Sequence, residues 1–218
     1  MVASWEIKAA RKVLCVILHT DVTTMAWSLG FKNLQIPGEH MVLTGMPFDH
    51  ARNVGAQKVL EMGFEYLFFL DSDVIPPRDA IFRLLAHKKP VISGLYCRRS
   101  PPASVPVMIR NGQWITQYQP GTLVEVDLVG AGCLLVHRSV LEQLPPLRPG
   151  KNWFDWRVDM QGIFPPGDCL SEDFTFCKQV REQLGLKVLV DTSIVCKHVG
   201  YAQSTYGQFQ PLETTPVT

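Results

Sequence analysis

Phe64-Glu-Tyr-Leu-Phe-Phe-Leu-Asp-Ser-Asp-Val-Ile-Pro76 is the stretch of sequence that decides the fold. In it, an apolar run of strand length ends abruptly in two carboxylates, Asp71 and Asp73. Because residues two apart on an extended chain point to the same side, both carboxylates can reach one hard cation. Open α/β sheets bind ligands at the carboxyl ends of their strands. The stretch therefore predicts a metal site at a sheet edge; the alternative interpretation is an ordinary Asp/Ser/Pro turn.

Composition narrows the class of protein. The chain has 218 residues, of which 46% are hydrophobic, enough to bury the core of one domain. Its net charge is +1 and it has no long basic run, so we expect no nucleic-acid partner. No apolar run approaches the roughly 20 residues that span a bilayer, so we expect no transmembrane segment. A basic cluster before Val13 mimics a secretory signal, but no small-residue cleavage site follows it.

The cysteines indicate the redox compartment. They form no C-x-x-C pair, and four lie in apolar or helix-like patterns typical of reduced, buried thiols. We therefore expect a cytoplasmic protein. The six are Cys15, Cys97, Cys133, Cys169, Cys177 and Cys196.

Strand and helix patterns alternate in the first half of the chain. Strands are predicted at 12–18, 41–45, 66–70 and 90–96, and helices at 50–62 and 77–87. Asp49 is the predicted cap of the first helix and Gly63 its end, while Pro77 is placed in the first turn of the second helix. This alternation predicts an α/β fold with a Rossmann-like, mostly parallel sheet and right-handed crossovers.

The pattern changes after Cys97. Asn111-Gly112 between two apolar runs predicts a β-hairpin, and further strands make a smaller mixed β region. The remaining predicted elements are strands at 105–110, 113–117, 123–128, 133–136, 186–190 and 194–198 and helices at 139–144 and 171–184. We expect one domain over residues 1–201, followed by a tail at 202–218 without apolar periodicity that is flexible or acts as a lid.

A second group of acidic residues opens the last helix. Ser171 is its predicted cap, and Glu172 and Asp173 fall in its first turn. Acidic residues there also complement the helix dipole, which is the alternative explanation. The aromatic segment that contains Trp153 and Trp156 lies shortly before the helix and suits a cleft for a ring-shaped ligand, or else a small core cluster.

His198 is the third element. It follows a strand and lies near Gly200. Imidazole and carboxylate ligands together suit Mn²⁺ or a related divalent ion, and a diphosphate can fill the remaining coordination positions. A lone histidine also serves often as an ordinary core or surface group.

Taken in order, these elements resemble the GT-A fold glycosyltransferases, and most of all the compact family-2-like enzymes of bacteria and their viruses. The resemblance covers about residues 12 to 200. It is carried by Arg52-Asn53, Asp71-Ser72-Asp73, Gly130-Ala-Gly132, Ser171-Glu-Asp173 and His198. It implies an enzyme of the GT-A type that moves a sugar from a UDP- or GDP-linked donor to a carbohydrate or other acceptor hydroxyl.

The resemblance also implies roles for individual residues. Asp73 holds the divalent ion, Mn²⁺ or Mg²⁺, and Asp71 contacts the ion or the donor ribose. Asp173, with its neighbour Glu172, matches the base that accepts the proton of the acceptor hydroxyl, so single displacement with inversion is expected. His198 is the expected third metal ligand.

Other residues are candidates for contacts with the two substrates. Thr20, Arg52 and Asn53 are candidates for the donor, with helix capping and surface roles as alternatives. Trp153 and Trp156 are candidates for the acceptor.

Two features of the sequence depart from what the resemblance to GT-A glycosyltransferases implies. A helix N-terminus lowers the pKa of a carboxylate and weakens it as a base, so burial or the charge of Glu172 has to offset the dipole at Asp173. The chain also shows no recognisable lipid-binding segment, which argues against an acceptor in a bilayer.

Two other functions remain open on the sequence. A nucleotidyltransferase also presents acidic metal ligands at a sheet edge, but its usual glycine-rich basic loop is absent after the first strand, at 19–25. A non-catalytic carbohydrate-binding module explains the aromatic residues but leaves both acidic groups without a task.

Overall fold

We analysed a computed structural model of the chain. It describes residues 12–19, 22–98, 105–147, 152–156, 170–203 and 209–214, and only the backbone in 200–203 and 209–214.

Five helices and thirteen strands lie within these ranges. The helices are α1 (Met25–Asn33), α2 (Phe48–Met62), α3 (Ala80–Ala86), α4 (Arg138–Gln143) and α5 (Glu172–Leu184). The strands are β1 (Val13–His19), β2 (Gly38–Thr44), β3 (Tyr66–Asp71), β4 (Val74–Ile75), β5 (Val91–Leu95), β6 (Met108–Arg110), β7 (Gln113–Trp114), β8 (Leu123–Val126), β9 (Leu128–Val129), β10 (Cys133–His137), β11 (Val188–Val195), β12 (Lys197–Gln203) and β13 (Phe209–Thr214).

The central sheet has seven strands in the order β2-β1-β3-β10-β5-β11-β8. Five of them run parallel, while β10 and β8 run antiparallel to their neighbours. Two three-stranded sheets, β7-β6-β9 and β13-β12-β4, flank it. The predicted fold class is confirmed in its architecture: an α/β fold with a Rossmann-like, mostly parallel sheet and a smaller mixed β region.

Two apolar layers cover the sheet. Along β1, Leu14 and Val16 belong to the core under α2 and α5, whereas Cys15 and Ile17 belong to the core under α1 and α3. Successive side chains of a strand point to opposite faces, so an all-apolar strand is what a sheet covered on both sides requires. The same rule accounts for the buried apolar run of β3, which ends at Asp71.

The hairpin and the main helix stops are as predicted. Asn111 and Gly112 both have positive φ, 52° and 72°, as a two-residue turn between strands favours. Gly63 and Gly185 end α2 and α5 in the left-handed conformation.

Three helix starts differ from prediction. α2 begins at Phe48 after Pro47, so Asp49 lies inside the first turn and accepts from the amide of His50 instead of capping the helix. Pro77 begins a turn, closed by the amide of Ala80, that precedes α3. Ser171 stands at the cap position of α5, but its side chain makes no capping hydrogen bond.

The C-terminal segment also differs from prediction. The tail that we expected to lack regular structure contributes β13, which pairs antiparallel with β12. β12 in turn pairs with β4, so the chain after residue 197 is joined to the segment that follows β3. A role of this segment as a lid stays a prediction.

Five cysteines lie in described residues, and all five are free and buried, as predicted for reduced thiols. None of the described helices combines the length and the apolar character needed to cross a bilayer.

Candidate functional site

The turn that carries Asp71 and Asp73 is fixed through its backbone. The indole N–H of Trp27 donates to the carbonyls of Asp71 and Val74, each at 3.0 Å. The amide of Val199 donates to the carbonyl of Asp73 at 2.7 Å. Two distant parts of the chain, α1 and β12, therefore hold this turn before any ligand binds, which is how a binding site is preorganised.

His198 is oriented toward Asp73. Its Nδ1 lies 2.7 Å from the carbonyl of Cys97 and must carry a proton there, because a carbonyl only accepts. Its Nε2 lies 3.3 Å from Oδ2 of Asp73. Two electron-pair donors this close need a positive charge, which either a proton on Nε2 or a bound metal ion supplies. A backbone acceptor that fixes the second nitrogen is typical of a metal-binding histidine.

The donor set at this turn fits a cation that is shared with a substrate. The described residues contain no group of three or more His, Cys, Asp or Glu side chains placed to hold a metal ion. Asp73 and His198 are a pair, and Asp73 is 32% exposed. Mg²⁺ and related ions are commonly held by one or two protein ligands together with phosphate oxygens and water. The residues therefore fit an ion that binds with a diphosphate better than an ion held by protein alone.

Arg52 connects the two acidic groups. Its Nη2 lies 3.0 Å from Oδ1 of Asp71, and its Nε lies 3.0 Å from Oε1 of Glu172, 120 residues further along the chain. The side chain is 2% exposed and packs over the ring of Phe69, 5.0 Å from its centroid. Burial alone lowers an arginine pKa, but Asp71, Glu172 and Asp173 raise the pKa of Arg52, so the cation is secure.

This position revises the prediction that Arg52 contacts the donor. A guanidinium that is buried and bound to Asp71 and Glu172 has no face open to a substrate. Its place is between the two acidic groups, where it positions Asp71 and compensates buried negative charge.

Asp173 has the properties of a base that works near neutral pH. Burial, followed by the charge of Glu172, raises its pKa from an ordinary 3.8 to about 6, although Arg52 opposes the shift. These are the two influences that the sequence required to offset the helix dipole. The Ser171 hydroxyl donates to its Oδ1, and the amide of Ala131 donates to Oδ2 at 3.3 Å. Both contacts fix the carboxylate while leaving it able to accept a proton.

The Gly130-Ala-Gly132 stretch lies between the two acidic groups. A Cβ on Gly130 would stand 2.0 Å from the Tyr96 hydroxyl oxygen, and one on Gly132 would stand 3.1 Å from Oδ2 of Asp71. The amide of Gly132 donates to that tyrosine oxygen at 3.1 Å. Only glycine lets the backbone approach this closely.

Asn53 and Trp153 are also revised by the structure. The amide of Asn53 donates to the carbonyls of Asp49 and Phe154 and accepts from the amides of Trp153 and Phe154. Trp153 is 5% exposed, and its indole N–H donates to Leu141. Asn53 therefore anchors the aromatic segment, and Trp153 belongs to the core.

Trp156 and Thr20 have different outcomes. Trp156 is 47% exposed and remains a candidate for acceptor contact. Thr20, a candidate for donor contact, lies outside the described residues.

A cavity of about 370 Å³ opens beside the carboxyl ends of β1 and β2. Its lining is mostly apolar and includes Met46, Phe48 and Ala51 together with His19. Nδ1 of His19 is buried without a hydrogen-bond partner among the described residues. A flat, largely apolar ligand with a polar edge suits such a lining.

Sequence reasoning missed two groups in the site, Tyr96 and the Cys97 carbonyl. Tyr96 contacts Gly132 and meets the ring of His198 edge-on, with centroids 5.4 Å apart. Burial raises its pKa well above the ordinary value, so it stays protonated. Tyr96 is the last residue of the strand predicted at 90–96 and Cys97 follows it, and this position at the carboxyl end of a parallel strand was the available signal.

No protein-family model matches this chain, and no curated protein matches its sequence. Among solved structures, the crystal structure of A197 from STIV aligns over 95% of this chain and 97% of that chain, with 17% identity and a TM-score of 0.59. At this identity the likeness shows a similar fold alone.

Two enzymes give weaker likenesses. A glycosyltransferase involved in the glycosylation of the major capsid of PBCV-1 aligns over 60% of this chain and 62% of its own, with 14% identity and a TM-score of 0.32. UDP-glucose pyrophosphorylase complexed with UDP-glucose aligns over 93% of this chain and 74% of its own, with 9% identity and a TM-score of 0.40. At these TM-scores neither likeness supports a conclusion about activity.

Proposed function

We propose that this protein is a nucleotide-sugar-dependent glycosyltransferase that inverts the anomeric carbon and depends on a divalent metal ion. One observation carries the proposal: Arg52 joins Asp71 to Glu172 at the carboxyl edge of the sheet, so the Asp-x-Asp turn and the acidic start of α5 line one site. Transfer of a sugar needs a group at each end of the reacting centre, one for the leaving diphosphate and one for the incoming hydroxyl.

The reaction assigns a different task to each end. The acceptor oxygen forms a bond to the anomeric carbon as the bond from that carbon to the diphosphate breaks, and the acceptor proton passes to Asp173. Its raised pKa makes it a stronger base than an ordinary aspartate while it remains largely ionised at pH 7. Glu172 is bound to Arg52, so it assists by its charge and not as a second base.

Asp73 and His198 are the residues that would hold Mn²⁺ or Mg²⁺. Asp71 lies two residues before Asp73, at the end of β3, and is a candidate for a contact with the ion or with the donor. When bound, the ion supplies positive charge to the leaving diphosphate. His198 is kept in one tautomer by the Cys97 carbonyl, and Asp71 is oriented by Arg52, so neither has to reorganise when a donor arrives.

The cavity at the ends of β1 and β2 suits the nucleobase of the donor. Phe48 and Met46 offer an apolar surface for a flat ring, and His19 offers a nitrogen for its polar edge. Thr20 follows His19 and stays a candidate for a donor contact.

A thermal-shift screen tests the proposal directly. UDP, GDP and their common sugar conjugates are added with and without Mn²⁺, because a ligand that binds only the folded state raises the unfolding temperature. We expect stabilisation by one nucleotide family, and that it depends on the metal. The controls are EDTA, which removes the metal ion, and CDP, a nucleoside diphosphate outside the two expected families.

The released product separates the alternatives. A glycosyltransferase releases nucleoside diphosphate from a nucleotide sugar, whereas a nucleotidyltransferase releases pyrophosphate from a nucleoside triphosphate and a sugar phosphate. If pyrophosphate is the product, or if no nucleotide stabilises the protein at millimolar concentration, the proposal is wrong.

A further inference from the structure

An aromatic side chain outside every predicted site contacts the residue that follows the proposed base. Trp114 belongs to β7 in the hairpin, and its ring centroid is 6.4 Å from that of Phe174, with the planes tilted by 56°. Phe174 follows Asp173, and its amide donates to the Asp173 carboxylate at 2.8 Å. The indole therefore contacts the first turn of α5, at the residue next to the proposed base.

The hairpin holds this indole in a defined place. Its turn residues adopt the conformations that a tight two-residue connection needs, and the amide of Asn111 donates to the Asp127 carboxylate at 2.6 Å. The amide of Ile115 donates to Met108 across the two strands. Trp114 itself is 39% exposed. It is thus a fixed ring with an accessible surface, which is what stacking on a ligand requires.

Arg98 gives the same place a polar group. Its guanidinium lies 5.2 Å from the centroid of the Trp114 ring. It directly follows Cys97, whose carbonyl orients His198. The short segment after β5 therefore connects the carbonyl that orients His198 to the guanidinium beside the indole.

We propose that Trp114, Phe174 and Arg98 form an acceptor subsite that receives a sugar ring. The C–H face of a pyranose packs against the indole, hydroxyls of the ring accept from the guanidinium, and one hydroxyl is presented to Asp173. An aromatic face beside a multiple N–H donor matches a ligand that is apolar on its face and polar on its edge. This inference rests on the proposed function and names its acceptor as a carbohydrate.

Binding and transfer are measured separately to test it. Saturation-transfer NMR with methyl β-glucopyranoside, methyl β-galactopyranoside and methyl α-mannopyranoside reports contact with the ring, without any need for turnover. Transfer assays with the donor found by thermal shift then give KM for the glycoside and the rate of donor hydrolysis. The variants are Trp114→Ala and Trp114→Phe, with Phe82→Ala as control, since Phe82 is a comparably exposed aromatic residue on α3 over the other face of the sheet.

We expect Trp114→Ala to raise the acceptor KM about tenfold and to abolish the NMR contact, a change of about 1.4 kcal/mol. Trp114→Phe should remain within about threefold, and donor binding and donor hydrolysis should be unchanged in every variant. The far-UV spectrum and the unfolding temperature establish that each variant is folded.

The outcomes separate this inference from the function on which it rests. An acceptor KM in Trp114→Ala equal to that of Phe82→Ala, with donor binding intact, overturns the subsite and leaves the glycosyltransferase proposal standing. Stacking that serves only to fasten the hairpin to α5 would show as a lower unfolding temperature with an unchanged KM, and also overturns it. Absence of nucleotide binding in the unmutated protein overturns the proposed function instead.

Discussion

The Asp-x-Asp turn and the start of α5 both present two carboxylates to one cleft, yet their surroundings favour different positive partners. At the turn, Asp73 is 32% exposed and stands 3.3 Å from an imidazole that is oriented by a backbone carbonyl. At the helix, Asp173 is partly buried beside Glu172, and its pKa is raised to about 6. An accessible carboxylate with a fixed imidazole suits a metal ion, whereas a desolvated carboxylate beside another suits a proton.

Arg52 is what makes the two regions differ. It contacts one carboxylate of each pair, Asp71 and Glu172. The other two, Asp73 and Asp173, are the proposed metal ligand and the proposed base. A single buried cation therefore compensates the charge of Asp71, Glu172 and Asp173 while contacting only the first two directly. The predictions below test this division.

The largest effect is expected for Asp173→Asn. Transfer to the acceptor should fall about 10²–10⁴-fold, the usual weight of a general base, while donor affinity is kept. Measurement of kcat/KM and of donor affinity by calorimetry checks this, with Asp79→Asn as control because Asp79 is a half-exposed carboxylate that pairs with Arg83 on α3. Equal losses of donor binding and of transfer would indicate that Asp173 is a structural group.

The raised pKa of Asp173 predicts how the stability and the activity of the unmutated protein change with pH. The folded protein keeps the Asp173 proton up to about pH 6, whereas the unfolded chain releases it near 3.8. Stability linked to this group is therefore present at low pH and is lost as pH rises through about 6, while kcat/KM rises over the same range. Asp173→Asn should remove both trends.

Loss of Arg52 should affect stability most. Arg52→Met leaves the buried Glu172 and the part-buried Asp71 without a counter-charge, and the free energy of unfolding at pH 7 should fall by about 3–5 kcal/mol. Urea unfolding measures this, with Arg181→Met as an exposed control that costs below about 1 kcal/mol. The loss should shrink near pH 4, where carboxylates gain protons. A loss equal to that of the control would mean that Arg52 does not bind the two regions together.

Asp73→Ala should affect the turn alone. Donor affinity in Mn²⁺ should fall by about 10- to 100-fold, because a contact that orients a metal ligand already costs that much. The unfolding temperature should stay unchanged, since this carboxylate is part-exposed. Asp79→Ala, an exposed carboxylate before α3, is the matched control. Donor affinity within twofold of the unmutated protein would make the metal assignment wrong.

The smallest change is expected for His198→Ala. Mn²⁺ affinity should fall by about tenfold in the presence of nucleoside diphosphate and far less without it, because two protein ligands hold the ion weakly until phosphate oxygens join them. Titration with Mn²⁺ followed by electron paramagnetic resonance checks both states. Unchanged affinity in both would return His198 to an ordinary ion pair with Asp73.

Most of the sheet could be predicted from sequence because its inner strands are apolar and buried on both faces and end at charged or turn residues. α1 was missed for a physical reason. Met25 and Leu29 are exposed while Trp27 is buried, so the helix shows apolar residues on its outer side as well and has no clear amphipathic period. Its cap at Thr24, which accepts from the amide of Trp27, was the one available signal.

The acidic residues of the candidate site could be predicted from the sequence, but the contacts that join them to the rest of the site could not. Residue type, together with a position after a strand or at a helix start, identifies Asp71, Asp173 and His198 as candidates. The contact of Arg52 with Glu172, and the engagement of Asn53 by the segment at Phe154, join residues more than a hundred positions apart. Such pairings depend on how helices pack on the sheet, which local patterns do not encode.

The pairing of β4 with β12 sets when the site can form during protein synthesis. The β-strand that ends in Asp71 emerges from the ribosome early, but the backbone partner of the Asp73 carbonyl is the amide of Val199. At about 5–20 residues per second, roughly 6–25 seconds separate the two segments. A nascent chain can therefore assemble much of its sheet while the Asp-x-Asp turn still lacks its hydrogen bond from the amide of Val199. On this order of events, the proposed metal site would be completed only after Val199 has been synthesised, when the strands that carry the carboxylates are already in place.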